Sequence, residues 1–79
     1  MTSELRQHLA EYDRAVALAD ETYLGMSADE RGIRAVAARQ LAKHAPSDRS
    51  APTCTGCNGG PWPCSTVKGA IILADPRYN

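Results

Sequence analysis

The sequence has little of what several common protein classes depend on. Only three cysteines are present, all between positions 54 and 64, so they cannot pair among themselves and a disulfide framework is not expected. No stretch approaches the roughly 18 consecutive apolar residues of a membrane span. The first residues lack the basic segment and apolar run of a signal peptide. We therefore expect a cytoplasmic protein, in which clustered cysteines indicate metal or redox chemistry.

An excess of either charge is also missing. Nine Lys and Arg residues balance nine Asp and Glu residues, so the chain has no overall positive field for binding phosphate backbones. With 79 residues, it has the size of one small domain with a thin apolar core. A metal, a covalent link or a partner usually supplements such a core.

The first part of the chain, up to residue 45, has no proline and is rich in helix-forming residues. Ser3 is a good N-cap for a first helix, which Gly25 would end. An apolar stripe runs along this helix at heptad spacing: Leu5, Leu9, Tyr12, Val16, Ala19 and Tyr23. We expect the stripe to pack on a second helix of the same chain. Its alternative use is contact with a partner, or with a second copy in a homodimer.

Two further helices are predicted. Ser27 and Glu30 fit a capping box that starts the second helix, and the third would be capped by Ser65 or Thr66 and ended by Pro76. The β-branched residues of this last segment leave a short strand as the alternative. The predicted inward face of the second helix comprises Ile33, Val36, Ala37, Leu41 and His44, and that of the third comprises Val67, Ala70, Ile71 and Ala74.

The segment 46–64 contains every cysteine and four of the five prolines. Cys54 and Cys57 are separated by two residues, which lets a tight turn place both sulfurs on one cation. Cys64 adds a third thiolate just before a helix start, where amide dipoles stabilise negative charge. His44 is the best fourth ligand, because His8 lies near the other end of the chain. A filled Cys3His set predicts one structural Zn²⁺.

Other uses of these cysteines remain open. An iron–sulfur cluster is chemically possible, and the spacing is close to that of the WhiB-like regulators, although their fourth cysteine is absent. A thioredoxin-like redox pair would need a strand before it and a helix after it. The remaining alternative is that the cysteines are unligated core residues, although glycine-rich turns are an unusual place for these.

The predicted fold is therefore a small all-α domain, a helical hairpin with a zinc-stapled loop and a short third helix. A single domain covers residues 1–79. It divides into the hairpin (1–45), the metal loop (46–64) and the third helix with its tail (65–79).

Three motifs in the second half of the chain carry a family resemblance: Cys54-x-x-Cys57, Trp62-Pro63-Cys64-Ser65-Thr66 and Ala74-Asp75-Pro76-Arg77-Tyr78. From His44 to Asn79 the chain resembles small proteins of actinobacteria and their bacteriophages, a domain of unknown function. The resemblance implies a shared metal motif at His44, Cys54, Cys57 and Cys64, and it suggests a phage protein acting on a host protein.

No paired carboxylates, Ser-His-Asp set or phosphate-binding loop is evident, so we do not expect an enzyme. The leading hypothesis is a zinc-binding protein-interaction or regulatory module whose partner contacts come from Tyr12, Tyr23, Trp62 and Tyr78. For Trp62, which lies between Pro61 and Pro63, the first expectation is that it covers one side of the metal site, and contact with a partner is the alternative. The alternative is a nucleic-acid-binding regulator that uses Arg31, Arg34, Arg39, Lys43, Arg49 and Lys68.

Overall fold

Three α-helices dominate the computed structural model, which describes residues 3–21 and 23–78. The helices are α1 (Ser3–Asp20), α2 (Ala28–Lys43) and α3 (Ser65–Ala74). A small antiparallel hairpin of β1 (Thr53–Cys54) and β2 (Gly60–Pro61) precedes α3. The mostly helical fold is as predicted. The hairpin was not expected, because two-residue strands are too short to show an alternating apolar pattern.

The first helix ends earlier than Gly25. Its last residue is Asp20, and Gly25 lies in the following turn with a φ of 93°. Arg34 of α2 explains the early end, because its guanidinium donates hydrogen bonds to the carbonyl oxygens of Leu18 (2.6 Å) and Glu21 (3.2 Å). These bonds satisfy carbonyls that a helix leaves without partners where it stops.

The start of α2 confirms half of the predicted capping box. The Ser27 hydroxyl accepts a hydrogen bond from the Glu30 backbone amide at 3.1 Å. The second bond of the predicted box, in which the Glu30 carboxylate would accept from the Ser27 amide, is not formed. The carboxylate accepts instead from the Tyr23 hydroxyl at 2.7 Å and from Arg34 at 3.3 Å, which joins the interhelical turn to α2. The start of α3 also differs from the prediction, because the N-cap is Cys64.

The core forms where the three helices meet, and small residues dominate it. Ala15 of α1, Ala37 of α2 and Val67 of α3 are each completely buried, with Leu41 as the largest apolar side chain at the centre. Such residues let the helix axes approach closely. The predicted buried face of α3 is confirmed by Val67, Ala70, Ile71 and Ala74, all of which are buried.

Part of the predicted inward face of α2 is wrong. Ile33 and Val36 are 47% and 46% exposed, whereas Ala37 and Leu41 are buried. The helix is rotated because Arg34 occupies the inward stripe one turn before Ala37, where it caps α1. The predicted stripe of α1 shows a similar shift, since Ala15 is buried while Val16 and Tyr23 are exposed.

A buried carboxylate ties the end of α3 to α1. The Asp75 side chain is fully covered and accepts hydrogen bonds from Arg14 (3.1 Å) and Arg77 (3.0 Å). The hydrogen bond from Arg77 has the largest effect on the carboxyl pKa. Burial acts to raise this pKa, but the bonds from Arg77 and Arg14 outweigh it and lower the pKa of Asp75 to about 2.

Among the described residues, no helix is both long and apolar enough to cross a membrane.

Truncation of two side chains of α2 tests the rotation of this helix. Leu41→Ala should lower the free energy of unfolding by about 2–5 kcal/mol, since it leaves a cavity at the centre of the core. Ile33→Ala should cost less than half as much, because its side chain is already half in water. Urea denaturation followed by circular dichroism measures both losses. Equal losses would contradict the observed orientation.

The Asp75 ion pairs predict a specific acid sensitivity. Because the carboxyl pKa falls from 3.8 to about 2 on folding, its contribution to stability is complete above the higher value and is lost as pH falls through the lower one. Asp75→Asn should therefore flatten the decline in thermal midpoint over this range. The exposed Asp20→Asn variant is the control, and an unchanged slope for Asp75→Asn would refute the assignment.

Candidate metal centre

The four predicted ligands come from four different places in the fold and converge beside the end of α2. His44 is the C-cap of α2, Cys54 lies in β1 and Cys64 is the N-cap of α3. Cys57 closes the 3₁₀ turn Thr55–Cys57 that follows β1. The nearest ligand atoms of all four residues lie within 4.8 Å of one another. These residues therefore form a cluster that can hold a metal ion.

All three cysteine sulfurs lie close to one ring nitrogen of His44. The three sulfur atoms lie 3.2 Å (Cys54), 3.5 Å (Cys57) and 3.7 Å (Cys64) from His44 Nδ1. The sulfurs of Cys54 and Cys64 are 3.6 Å apart. The sequence identified this histidine but gave no means of choosing between its two ring nitrogens.

These separations match the edges of a tetrahedral zinc site. With Zn–S bonds of about 2.3 Å and Zn–N bonds of about 2.0 Å, tetrahedral angles place two sulfurs about 3.8 Å apart and a sulfur and a nitrogen about 3.5 Å apart. The four distances given above differ from these edges by a few tenths of an ångström, and the ligand atoms of all four residues lie within 4.8 Å of one another. The donor set thus fits a single small tetrahedral ion.

A narrow turn between Cys54 and Cys57 makes this convergence possible. The turn continues through Asn58 and Gly59, both with positive φ (53° and 82°), and closes with a hydrogen bond from the Gly59 amide to the Cys54 carbonyl. Gly56 sits against α2. A Cβ atom at this position would lie 2.7 Å from His44 Nδ1 and 2.7 Å from the Lys43 carbonyl oxygen. Sequence reasoning treated Gly56 only as a turn residue and missed this close approach.

The loop is also fastened to the end of α2 by hydrogen bonds. The Thr55 hydroxyl donates to the carbonyl oxygens of Lys43 (3.2 Å) and Ala45 (3.1 Å), and the Thr55 amide donates to Ala45 as well. A further bond joins the Ser47 amide to the Thr53 carbonyl at 2.9 Å. The bonds from Thr55 satisfy carbonyl groups at and just beyond the end of α2, and they hold Cys54 and Cys57 against His44.

Two buried aromatic residues link the centre to the core. The Trp62 indole donates a hydrogen bond to the His44 carbonyl at 3.2 Å and meets the Tyr12 ring edge to face at 5.5 Å. The Tyr12 hydroxyl donates to the Leu41 carbonyl at 2.9 Å. The predicted partner contact through Tyr12 and Trp62 does not fit this arrangement, because both side chains are less than a tenth exposed.

The other predicted contact residues, Tyr23 and Tyr78, are 49% and 45% exposed. Of the predicted nucleic-acid-binding residues, Arg34 is occupied with the end of α1, and Arg49 pairs with Asp13 at 2.6 Å. These pairings neutralise part of the proposed basic surface.

The close approach of the sulfurs changes the pKa of the Cys57 and Cys64 thiols. The hydrogen bond with Cys54 and, next, the partial loss of solvent around the sulfur raise the pKa of the Cys57 thiol to about 11, and Cys64 adds to the effect. Burial also acts to raise the pKa of Cys64, but hydrogen bonds from the Val67 amide and from the other two thiols outweigh it and lower the pKa. Three thiolates at this spacing need a nearby cation to stay charged together.

The four ligands differ in their exposure to solvent. Cys54 is completely buried and His44 is 9% exposed, whereas Cys57 is exposed. All three cysteines are free thiols.

No family model, curated protein or solved structure matches this chain.

Gly56→Ala tests the close approach of the turn to α2. The added methyl group would overlap His44 and the Lys43 carbonyl, so it should push the turn outward and weaken metal binding by at least about tenfold. Competition with a chromophoric chelator measures the affinity. Gly69→Ala is the matched control, because nothing lies within 4 Å of its added Cβ. Equal affinities of the two variants would disprove the tight contact.

Proposed function

We propose that the protein is a small zinc-binding module in which a Cys3His centre fixes the shape of the chain. One observation carries the proposal: four ligand atoms from four separate places in the fold lie within 4.8 Å of one another. The distances from His44 Nδ1 to the three sulfurs and from Cys54 to Cys64, 3.2–3.7 Å, are close to the edges of a tetrahedral zinc site. Three thiolates and one imidazole also form a donor set that binds zinc in preference to harder ions such as Mg²⁺ or Ca²⁺.

The spacing supports a single ion over an iron–sulfur cluster. In a cluster, each iron binds bridging sulfides and only one or two protein ligands, so the inorganic core separates the ligands of different iron atoms from one another. Here the sulfurs of Cys54 and Cys64 are 3.6 Å apart and both lie close to His44 Nδ1. This leaves room for one metal ion and not for a group of them.

Four protein ligands also favour a structural role. A tetrahedral zinc ion bound by His44 and the three cysteines has no open position for a water molecule or a substrate, which catalytic zinc sites require. The ion would instead hold the loop, α2 and α3 together. We therefore propose a non-enzymatic protein.

We further propose that the module serves protein interaction or regulation. Its support is the exposure of Tyr23 and Tyr78, which are free of the core that holds the other two aromatic candidates. The proposed kinship with proteins of actinobacteria and their phages rests on the sequence motifs around Trp62 and Cys64. The proposal that the partner is a host protein depends on this kinship.

Metal analysis tests the zinc centre directly. We expect untagged protein, purified without added metal, to contain one zinc per chain by elemental analysis. A strong chelator should reduce the helical circular dichroism, because structural zinc contributes about 10–16 kcal/mol of apparent binding energy in small domains, more than their usual net stability. Iron with visible absorbance, or no metal, would overturn the proposal.

A matched pair of histidine variants locates the fourth ligand. His44→Ala should reduce both the zinc content and the helical signal, whereas His8→Ala should leave both unchanged because His8 is not among the residues that form the cluster. Cobalt substitution supplies a second readout, since the visible spectrum of Co²⁺ reports tetrahedral thiolate coordination. An unaltered cobalt spectrum in His44→Ala would remove this histidine from the ligand set.

A further inference from the structure

An apolar surface lies on the flank of α2 that adjoins α3, beside the buried core. Ile33, Val36 and Leu73 are 47%, 46% and 44% exposed. With Ala28, Asp29 and Gly32 they line a shallow groove of about 620 Å³ between α2 and α3, called here the α2–α3 groove. Exposed side chains of this size gathered on one face are typical of an interaction site.

The exposed face of α2 has charges of opposite sign at its two ends. Asp29, Val36 and Lys43 are seven residues apart and therefore lie along one line of the helix. Asp29 is near the start of α2, Lys43 is its last residue, and Val36 is midway between them. Val36 is thus an apolar centre with a negative charge on one side and a positive charge on the other.

We propose that the α2–α3 groove binds a second copy of this chain, with the two α2 helices antiparallel and a two-fold axis passing through Val36. In this arrangement Val36 of each copy meets Val36 of the other. Asp29 of each copy faces Lys43 of the other, because the two residues are equally far from the axis. The face is its own complement, as a two-fold interface requires.

Two further observations favour a second copy as the occupant. Gly32 carries no side chain, and a Cβ built there meets nothing within 4 Å, so a second helix can approach α2 closely. The chain has no net charge, so two copies do not repel each other at long range. The apolar residues supply most of the attraction, while the two ion pairs fix the antiparallel orientation.

This interface differs from the homodimer along the stripe of α1, which the sequence offered as an alternative. That stripe is largely unavailable, because Leu9, Tyr12 and Ala19 are buried within the chain. The α2–α3 groove contains none of the four metal ligands. Dimer formation can therefore be tested separately from metal binding.

Sedimentation equilibrium of the intact, metal-loaded protein over a concentration series tests the proposal. We expect a reversible dimer, which Val36→Glu should weaken at least about tenfold by placing two carboxylates on the axis. Ala35→Glu is the matched control, since Ala35 is an exposed neighbour on another face of the same helix. A monomer at every concentration, or equal effects of the two variants, would overturn the proposal.

Charge exchange tests the antiparallel orientation. Asp29→Lys and Lys43→Asp should each weaken the dimer by placing like charges opposite each other, and the double variant should recover most of the loss. Circular dichroism and zinc content verify that every variant is folded. A double variant that dimerises more weakly than either single variant would refute the pairing of Asp29 with Lys43.

Discussion

The convergence of the chain on His44 is the constraint on which the rest of the structure depends. Its Nδ1 atom lies 3.2–3.7 Å from three sulfurs, its carbonyl accepts the Trp62 indole, and its amide closes the last hydrogen bond of α2 with Gln40. Metal ligation, aromatic packing and the end of a helix therefore depend on the position of a single residue. A displacement of this residue would disturb all three at once.

The composition of the core explains why such a constraint matters. Alanines 15, 37, 70 and 74 occupy the contacts between helices and bury little apolar area each. Larger side chains in the core, Tyr12 and Trp62, are placed by hydrogen bonds to the last turns of α2. The helices and the ligand cluster therefore form one cooperative unit, as expected of a small domain whose apolar burial alone offsets little more than its conformational entropy.

Sequence periodicity and spacing predicted the three helices, the buried face of α3 and the residues that gather around His44. They failed where distant residues decide the outcome. The rotation of α2, which exposes Ile33 and Val36, depends on Arg34 reaching carbonyls of α1, an interaction that spans up to 16 positions of the chain. Likewise, the position of Trp62 between two prolines left two roles open, and the tertiary fold decides between them by placing its indole on the His44 carbonyl. Local patterns contain no information on such contacts.

The metal cluster and the proposed dimer surface share one helix, and this creates a physical link between them. Lys43, at one end of the exposed line on α2, directly precedes His44, and its carbonyl accepts the Thr55 hydroxyl from the metal loop. The loop thereby holds the last turn of α2 in place. Helix ends fray when their carbonyl partners are lost, so release of the loop would free Lys43 from the position in which it faces Asp29 of a second copy. The apolar contact at Val36 lies two turns away. Such fraying would therefore weaken the preference for the antiparallel orientation more than the apolar attraction between the two copies.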